Sequence, residues 1–199
     1  MTEYKSINED KKWLVIGDLH LTSQHQTKLE RAWVRRLKRI VSTKEIDSII
    51  ILGDLYDRRQ NKEIVQKEHP SLFTWLKTQD VIYVTGNNDK GDYDKVIIES
   101  NKEGIWPIVL MHGHQFFLCY KFDFLWKWFA RLSRKKPKYN LNFSMRMFKW
   151  TEKNKTKLIL AHTHIPDEQC HYYNCGSFTE QSCYIIISKN NFIRLYERT

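Results

Sequence analysis

The sequence has few of the features that mark exported or membrane-spanning proteins. It contains only four cysteines among 199 residues, and no two of them have C-x-x-C spacing. The N-terminal residues 1–12 are polar and mixed in charge, unlike a signal peptide. No apolar run approaches the length that spans a bilayer, and no internal repeat or low-complexity linker is present. We therefore expect a cytoplasmic protein whose cysteines are reduced thiols.

Hydrophobic and basic residues are both plentiful. The hydrophobic fraction of 41% is enough for a sizeable core, and we expect a single domain over residues 1–199. The formal net charge of +10 indicates anionic partners, such as phosphate esters, nucleic acid or an anionic membrane surface.

The segment 14–21 begins as an apolar run and ends in two side chains that can bind a metal. Asp18 and His20 are two residues apart, so in an extended chain they point to the same side and can reach one ion. Gly17 allows the backbone to turn sharply where the strand ends. A single triplet of this kind is a weak signal, because it occurs by chance in many sequences.

Four later apolar runs end in the same way, and uniform apolar runs are typical of buried parallel strands. Two of them lead into Gly53-Asp54 and Gly86-Asn87-Asn88-Asp89, and two lead into His-x-His triplets. Open α/β sheets bind ligands at the carboxyl ends of their strands. A purely structural role explains poorly why five of the eight histidines lie at such ends, namely His20, His112, His114, His162 and His164.

The segments between these runs predict helices and further strands. Helical periodicity predicts a helix over 27–41 and a helical region over 61–77 that a proline interrupts once. Residues 92–106 are expected to form a short helix and a connection. The C-terminal part predicts antiparallel strands, with a hairpin between 184–188 and 192–196.

The motifs and their order resemble those of the calcineurin-like metallophosphoesterases over residues 14–166. The resemblance implies an α/β fold in which a β-sandwich is flanked by helices in α-β-β-α layers, with a helical insert. It also implies a metal-dependent phosphoesterase or pyrophosphatase with two metals at the strand ends. The matching blocks are Gly17-Asp18-Leu19-His20, Gly53-Asp54, Gly86-Asn87-x-Asp89, His112-Gly113-His114 and Ala161-His162-Thr163-His164-x-Pro166.

The resemblance assigns ligands to both metals. Mixed carboxylate, amide and imidazole donors suit Mn²⁺, Fe, Zn²⁺ or Mg²⁺, of which we expect manganese. Two cations about 3.5–4 Å apart would clamp phosphoryl oxygens and activate a bridging hydroxide for attack on phosphorus. The implied ligands are Asp18, His20 and His164 for one ion, Asn87, His112 and His162 for the other, and Asp54 for both.

Asn88 departs from the family pattern, in which a histidine at this position is thought to protonate the leaving group. An amide cannot act as a titrating acid, so either His114 or His25 replaces it, or the leaving group needs no acid. A phosphomonoester leaving group has a second pKa of only about 6, which favours cleavage of a diphosphate linkage. The family branch that hydrolyses UDP-2,3-diacylglucosamine, the closest in layout, also has a non-histidine residue here, an arginine. We take Asp18, Asp54, Asn87 and His114 as the catalytic candidates.

Residues 116–150 form a basic and aromatic insert between the last two histidine motifs. It contains nine Lys or Arg residues, one acidic residue and 12 of the 27 aromatic residues. Its apolar positions follow one helical face between residues 122 and 132, and a second short helix is expected over 141–150, with Leu141, Met145 and Phe148 aligned. The candidate substrate contacts are Trp126, Phe129 and Arg131 in the insert, with Asn88 and His25 outside it.

Several roles remain open for this insert. It could lie on an anionic membrane as an interfacial helix, or cover the site as a lid that holds acyl chains, and the lipid-cleaving branch has a similar cap. It could also be a flap that packs on the body or on a second subunit. Nucleic-acid binding is a further alternative, which we rank lower because the aromatic residues follow a helical stripe.

These observations lead to one main hypothesis about function. The protein would hydrolyse a diphosphate linkage in a nucleotide-linked lipid or sugar, in peripheral contact with the inner face of a membrane. One alternative is a soluble phosphodiesterase that acts on nucleic acid or nucleotides, and another is a catalytically weak scaffold of the same fold.

Overall fold

The architecture is a sandwich of two β-sheets with helices on both outer faces, which confirms the fold that the family resemblance implies. No helix in the described part of the chain is long and apolar enough to cross a membrane. The computed structural model describes residues 3–8, 10–23, 28–58, 60–100, 103–116, 139–188 and 192–196.

Eleven strands and five α-helices lie within these ranges. The strands are β1 (Tyr4–Asn8), β2 (Trp13–Ile16), β3 (Ser48–Leu52), β4 (Val81–Val84), β5 (Lys95–Glu99), β6 (Ile108–Leu110), β7 (Lys157–Leu160), β8 (Pro166–Gln169), β9 (Tyr172–Cys175), β10 (Tyr184–Ser188) and β11 (Phe192–Tyr196). The helices are α1 (Lys28–Thr43), α2 (Lys62–Glu68), α3 (Pro70–Leu76), α4 (Tyr139–Asn154) and α5 (Phe178–Gln181), and a 3₁₀ turn covers His114–Phe116.

Each sheet is built around parallel strands. The five-stranded sheet has the order β11-β10-β2-β3-β4, in which β2, β3 and β4 are parallel and β10 is antiparallel to β2 and to β11. The six-stranded sheet has the order β1-β5-β6-β7-β9-β8, in which β6, β7 and β9 are parallel. The carboxyl ends of the parallel strands are therefore the natural place for a shared site.

The main core lies between the two sheets. Val15 and Ile50 project from the five-stranded sheet, Leu110 and Ile159 project from the six-stranded sheet, and all four side chains are fully buried in one cluster. Because side chains alternate along a strand, the next residues face outward. In the five-stranded sheet they meet α1, α2, α3 and α5, and in the six-stranded sheet they meet α4.

The predicted helical region over 61–77 is two helices that meet at His69. Asn61 caps α2 by accepting hydrogen bonds from the N–H groups of Glu63 and Ile64. Pro70 then stands in the first turn of α3, where a missing N–H costs nothing and the fixed φ suits a helix. The predicted interruption and its cause are both present.

The prediction of a short helix within 92–106 is wrong, because strand β5 occupies Lys95–Glu99. In this strand Val96 and Ile98 are buried while their neighbours are partly exposed or exposed, which is a period of two. Adjacent β-branched residues suit this pleated, half-buried surface. The polar N-terminal segment also contains a strand, β1, which pairs in parallel with β5 and places Ile7 against the core between the sheets.

The second helix expected in the insert is present as α4, but its buried face differs from the predicted one. Met145 is 47% exposed, whereas Met147 and Thr151, one turn apart, are buried. Met147 packs with Leu158 and Tyr172 on the outer face of the six-stranded sheet. The part of the insert that is described therefore contacts the body, and the helix expected between residues 122 and 132 lies outside the described residues.

We expect Ile50→Ala to lower the free energy of unfolding by about 2–5 kcal/mol, because it opens a cavity between two packed sheets. Ile64→Ala is the matched control, since Ile64 is 49% exposed on α2, and it should change stability by less than about 0.5 kcal/mol. Equilibrium unfolding in urea measures both values. Equal losses in the two variants would contradict the assignment of this core.

Candidate metal centre

Seven polar side chains follow strands of both sheets and converge at one edge of the sandwich. Three of the strands belong to the five-stranded sheet and two to the six-stranded sheet, so the centre lies where the strand ends of both sheets meet. The side chains are Asp18 and His20 after β2, Asp54 after β3, Asn87 after β4, His112 after β6, and His162 and His164 after β7.

The backbone turns sharply at most of these positions. Five of the seven residues have a positive φ, in the left-handed region of the backbone that residues other than glycine seldom adopt. Asp and His tolerate this region better than most residues, but the conformation still carries strain. These residues and angles are Asp18 (52°), His20 (47°), Asp54 (50°), His162 (69°) and His164 (59°).

One group of donor atoms, which we call site A, contains Asp18, His20 and His164. The Nε2 atoms of the two histidines are 3.1 Å apart. Asp18 Oδ1 lies 3.7 Å from His20 Nε2 and 3.6 Å from His164 Nε2. Asp18 is fully buried, and its Oδ1 has no hydrogen-bond partner among the described residues.

A second group, which we call site B, contains Asn87, His112 and His162. His112 Nε2 lies 3.0 Å from Asn87 Oδ1 and 3.1 Å from His162 Nδ1. Asp54 Oδ2 is 3.6 Å from His112 Nε2 and 3.9 Å from His20 Nε2 in site A. Asp54 therefore stands between the two groups.

The donor set fits two divalent metal ions. A buried carboxylate oxygen without a hydrogen bond is costly, and a cation in site A would satisfy Asp18 Oδ1. Imidazole, carboxylate and amide donors together suit Mn²⁺, Fe, Zn²⁺ or Mg²⁺ and do not select one of them. His112 Nδ1 lies 2.8 Å from Leu52 O, which can only accept, so Nδ1 carries the proton and Nε2 keeps its lone pair for a ligand bond.

The electrostatic environment favours ionised Asp18. Burial opposes its charge, but the adjacent imidazole of His20 and the charges of His112 and His164 outweigh burial and lower the pKa of Asp18. Burial also disfavours a charge on His20, yet Asp18, Asp54 and Asp57 together raise its pKa. The pKa of Asp54 is raised, mainly by burial, although His112 opposes this effect.

The loop after β4 holds Asp54 in position. The Asn88 backbone N–H donates to Asp54 Oδ1 at 2.9 Å, and Asn88 Nδ2 donates to Asp54 Oδ2 at 2.6 Å. Buried Asp89 accepts hydrogen bonds from the N–H groups of Asp54 (3.1 Å) and Tyr56 (2.7 Å). The amide of Asn88 is therefore engaged with a central carboxylate of the site.

The other candidate residues differ in what the structure shows of them. His114 begins the 3₁₀ turn, and its ring centroid lies 5.5 Å from that of His112. Burial and the neighbouring His112 lower the pKa of His114 to about 4, so its imidazole is neutral at pH 7. The remaining candidates lie outside the described residues, namely His25, Trp126, Phe129 and Arg131.

Sequence reasoning assigned no role to the residues that support these turns. Buried Ser177 donates from Oγ to the carbonyl oxygen of Asp18 at 3.0 Å. Buried Asn174 donates from Nδ2 to the carbonyl oxygen of Ala161, directly before His162, at 2.9 Å. The Asn174-Cys175-Gly176-Ser177 segment resembles the strand that usually follows the site in the calcineurin-like metallophosphoesterases, but only the fold shows which backbone atoms it contacts.

The fold and the donor set define a metal-dependent phosphohydrolase of the two-sheet class. The chain belongs to the calcineurin-like phosphoesterase family, whose model matches residues 11–196. The resemblance inferred from the motifs is thereby confirmed for the family.

Several solved structures resemble this chain over most of its length but share little sequence with it. Vps29 from Chaetomium thermophilum is 15% identical with a TM-score of 0.50, over 94% of this chain and 96% of that chain. Yfce, a phosphoesterase from E. coli, is 16% identical with a TM-score of 0.49, over 93% and 98%. A predicted phosphoesterase from Streptococcus pneumoniae TIGR4 is 16% identical with a TM-score of 0.45, over 94% and 98%. No curated protein matches the chain.

We expect Gly53→Ala to damage the centre more than Gly104→Ala does. Both glycines have a positive φ, so either substitution should cost about 1–2 kcal/mol in backbone strain. A Cβ at Gly53 would lie 2.6 Å from Gly86 Cα and 2.7 Å from His112 Nδ1, whereas a Cβ at Gly104 would have no atom of the described residues within 4 Å. Overpacking should add about 1–3 kcal/mol at Gly53 alone.

The free energy of unfolding and the dissociation constant for Mn²⁺ measure this difference. Gly53→Ala should weaken metal binding by displacing His112, and Gly104→Ala should not. Identical stability and metal affinity in the two variants would contradict the close approach of β3 to His112.

Proposed function

We propose that this phosphoesterase hydrolyses a diphosphate linkage in a nucleotide-linked lipid or sugar. The observation that carries the proposal is the engagement of Asn88 with Asp54, at the position where relatives are thought to hold a proton donor. The proposal narrows the family's phosphoesterase activity to one class of substrate, the diphosphates. We choose this class because its leaving group needs no proton donor.

The residues of the centre would share the work as follows. Asp18, His20 and His164 would hold one divalent ion, Asn87, His112 and His162 would hold the other, and Asp54 would contact both. When bound, two such ions supply positive charge to the phosphoryl oxygens and lower the pKa of water. Asn88 keeps both oxygens of Asp54 in place through its backbone N–H and its side-chain amide, and we propose manganese as the metal.

The leaving group follows from the chemistry of Asn88. An alkoxide that leaves phosphorus needs a proton, and a carboxamide has none to give at neutral pH. A phosphomonoester leaves as a stable anion, because its second pKa is only about 6. A centre without an acid at this position therefore suits a diphosphate better than an alkyl diester.

The basic and aromatic insert supports a lipid-linked substrate. Its nine Lys or Arg residues against one acidic residue carry most of the net charge of +10. Such a segment can contact anionic lipid through its charges and apolar chains through its aromatic residues. We propose peripheral contact with an anionic membrane on this basis, with 116–150 as the cap.

A soluble phosphodiesterase that acts on nucleic acid or nucleotides is the second candidate, favoured by the same charge and aromatic content. The two differ in their response to salt. Binding to nucleic acid should fall steeply with salt concentration, whereas the apolar part of lipid binding should persist. A catalytically weak scaffold is a third candidate. The only observation in its favour is that Asn88 cannot act as a proton donor.

We expect Asp54→Asn to lower phosphoesterase activity by at least about 100-fold. Loss of a residue that only hydrogen-bonds a metal ligand already lowers activity by up to about 100-fold, and Asp54 would contact both ions directly. Removal of metal with EDTA should abolish wild-type activity, and added Mn²⁺ should restore it. Asp10→Asn changes an exposed carboxylate away from the centre and serves as control. Full activity in Asp54→Asn would overturn the proposed mechanism.

The substrate class is tested with a UDP-linked acylated sugar and a dinucleotide diester, assayed with Mn²⁺ in one detergent buffer. The wild type should cleave the first and leave the second nearly intact. Asn88→His adds an acid and should raise diester cleavage by up to about 10²-fold. Asn88→Ala removes the amide from Asp54 without adding an acid and should not raise it.

Rapid diester cleavage by the wild type would contradict the leaving-group argument and favour the nucleotide alternative. Absence of both activities in a protein that binds two metals would favour the scaffold.

A further inference from the structure

A short segment after β9 contacts site A at two separate points. Ser177 Oγ and Thr179 Oγ1 both donate to the carbonyl oxygen of Asp18, at 3.0 Å and 3.3 Å. Glu180 Oε2 lies 3.2 Å from His164 Nδ1. One stretch of four residues therefore supports the backbone of one candidate ligand and the side chain of another.

The local sequence predicts a different hydrogen-bond partner for the Glu180 carboxylate than the one observed. Ser177-Phe178-Thr179-Glu180 has the S-x-x-E pattern of a capping box, in which the glutamate reaches back to the N–H of the capping serine. Half of the box is present, because Ser177 Oγ accepts the Glu180 N–H at 3.3 Å. The carboxylate of Glu180 is instead paired with His164.

The segment is firmly anchored, so Glu180 starts from a fixed backbone. Phe178 is fully buried in the core between the five-stranded sheet and its helices. Its ring meets Trp33 edge-on at 6.2 Å and also contacts Tyr184. The Phe178 N–H donates to the carbonyl oxygen of Gly17 at 3.2 Å, next to Asp18.

The contact decides which nitrogen of His164 can bind a metal. An ionised carboxylate only accepts hydrogen bonds, so Glu180 places the proton of His164 on Nδ1. Nε2 then keeps its lone pair, and it faces His20 Nε2 and Asp18 Oδ1. A carboxylate at this position orients a ligating histidine and makes it a stronger donor.

The Nδ1 atoms of His112 and His20 have partners of a different kind from that of His164 Nδ1. His112 Nδ1 donates to a backbone carbonyl, that of Leu52, which carries no net charge. His20 Nδ1 lies 3.8 Å from Asp57 Oδ1, and that oxygen already accepts the Arg58 N–H at 2.7 Å. Among these three pairs, only Glu180 combines a full charge with a distance short enough for a hydrogen bond.

We propose that Glu180 is a positioning residue of site A, which fixes the tautomer and the orientation of His164 and adds negative charge beside the ion. This inference rests on the proposed function only in that site A binds a metal. It requires no particular substrate.

The test compares Mn²⁺ dissociation constants of the full chain, measured by competition with a chelator. Glu180→Ala removes both the acceptor and the charge and should weaken site A by about 10–100-fold. Glu180→Gln keeps an acceptor oxygen and should have a smaller effect. Glu152→Gln is the matched control, because Glu152 Oε1 lies 3.5 Å from His171 Nε2, outside the centre.

A second readout separates positioning from a merely structural role. Glu180 is more than half exposed, so the unfolding midpoint of the metal-free variants should stay within about 2 °C of the wild type. The absorption spectrum of the Co²⁺-loaded protein should change in Glu180→Ala and not in Glu152→Gln, because only the former alters a ligand.

The outcomes distinguish this proposal from the proposed function. A wild type that binds no divalent metal would overturn both. A wild type that binds metal, with Glu180→Ala as tight as Glu152→Gln, would overturn the role of Glu180 and leave the proposed function standing. A large loss of metal-free stability in Glu180→Ala would also overturn it, because the effect would then be structural.

Discussion

The structure depends on keeping two carboxylates, Asp18 and Asp54, buried at the meeting point of two sheets. Burial of charge is unfavourable unless partners compensate for it. The compensation comes from separate parts of the chain: the N–H of His162 donates to Asp18 Oδ2 at 2.8 Å, and Asn88 donates to both oxygens of Asp54. Asp18 Oδ1 has no hydrogen-bond partner among the described residues. The centre is therefore incomplete in hydrogen bonds and suited to metal.

This constraint explains why the surrounding backbone is strained and closely packed. Asp18 and Asp54 adopt a positive φ. Such a strained backbone conformation persists only where the surrounding structure holds it in place. Gly53 and Gly86 let β3, β4 and His112 approach within distances that a side chain would forbid. The two sheets supply the rigidity, since strands with fully buried residues on both faces have no freedom to shift.

Site A and site B are built from different chemistry although they share Asp54. Site A has its own buried carboxylate, Asp18, and its histidine His164 is paired with the charged Glu180. Site B has an amide among its candidate ligands, that of Asn87, and a histidine that contacts a neutral carbonyl, His112. The two sites therefore differ in charge, and Asn88 adds a second amide that donates hydrogen bonds to Asp54.

The sequence by itself determined the strands that carry the candidate ligands, because apolar runs and the Asp-x-His and His-x-His triplets are local patterns. It also determined the family, since these patterns occur in a fixed order. Only the tertiary structure decided that residues 95–99 form a strand, because their burial depends on β1 and β6. The contacts of Asn174, Ser177 and Glu180 could likewise not be predicted from the sequence, since each acts on a residue that lies near it only after the sheets have packed. Local periodicity carries no information about such contacts, which is also why the buried face of α4 was mispredicted.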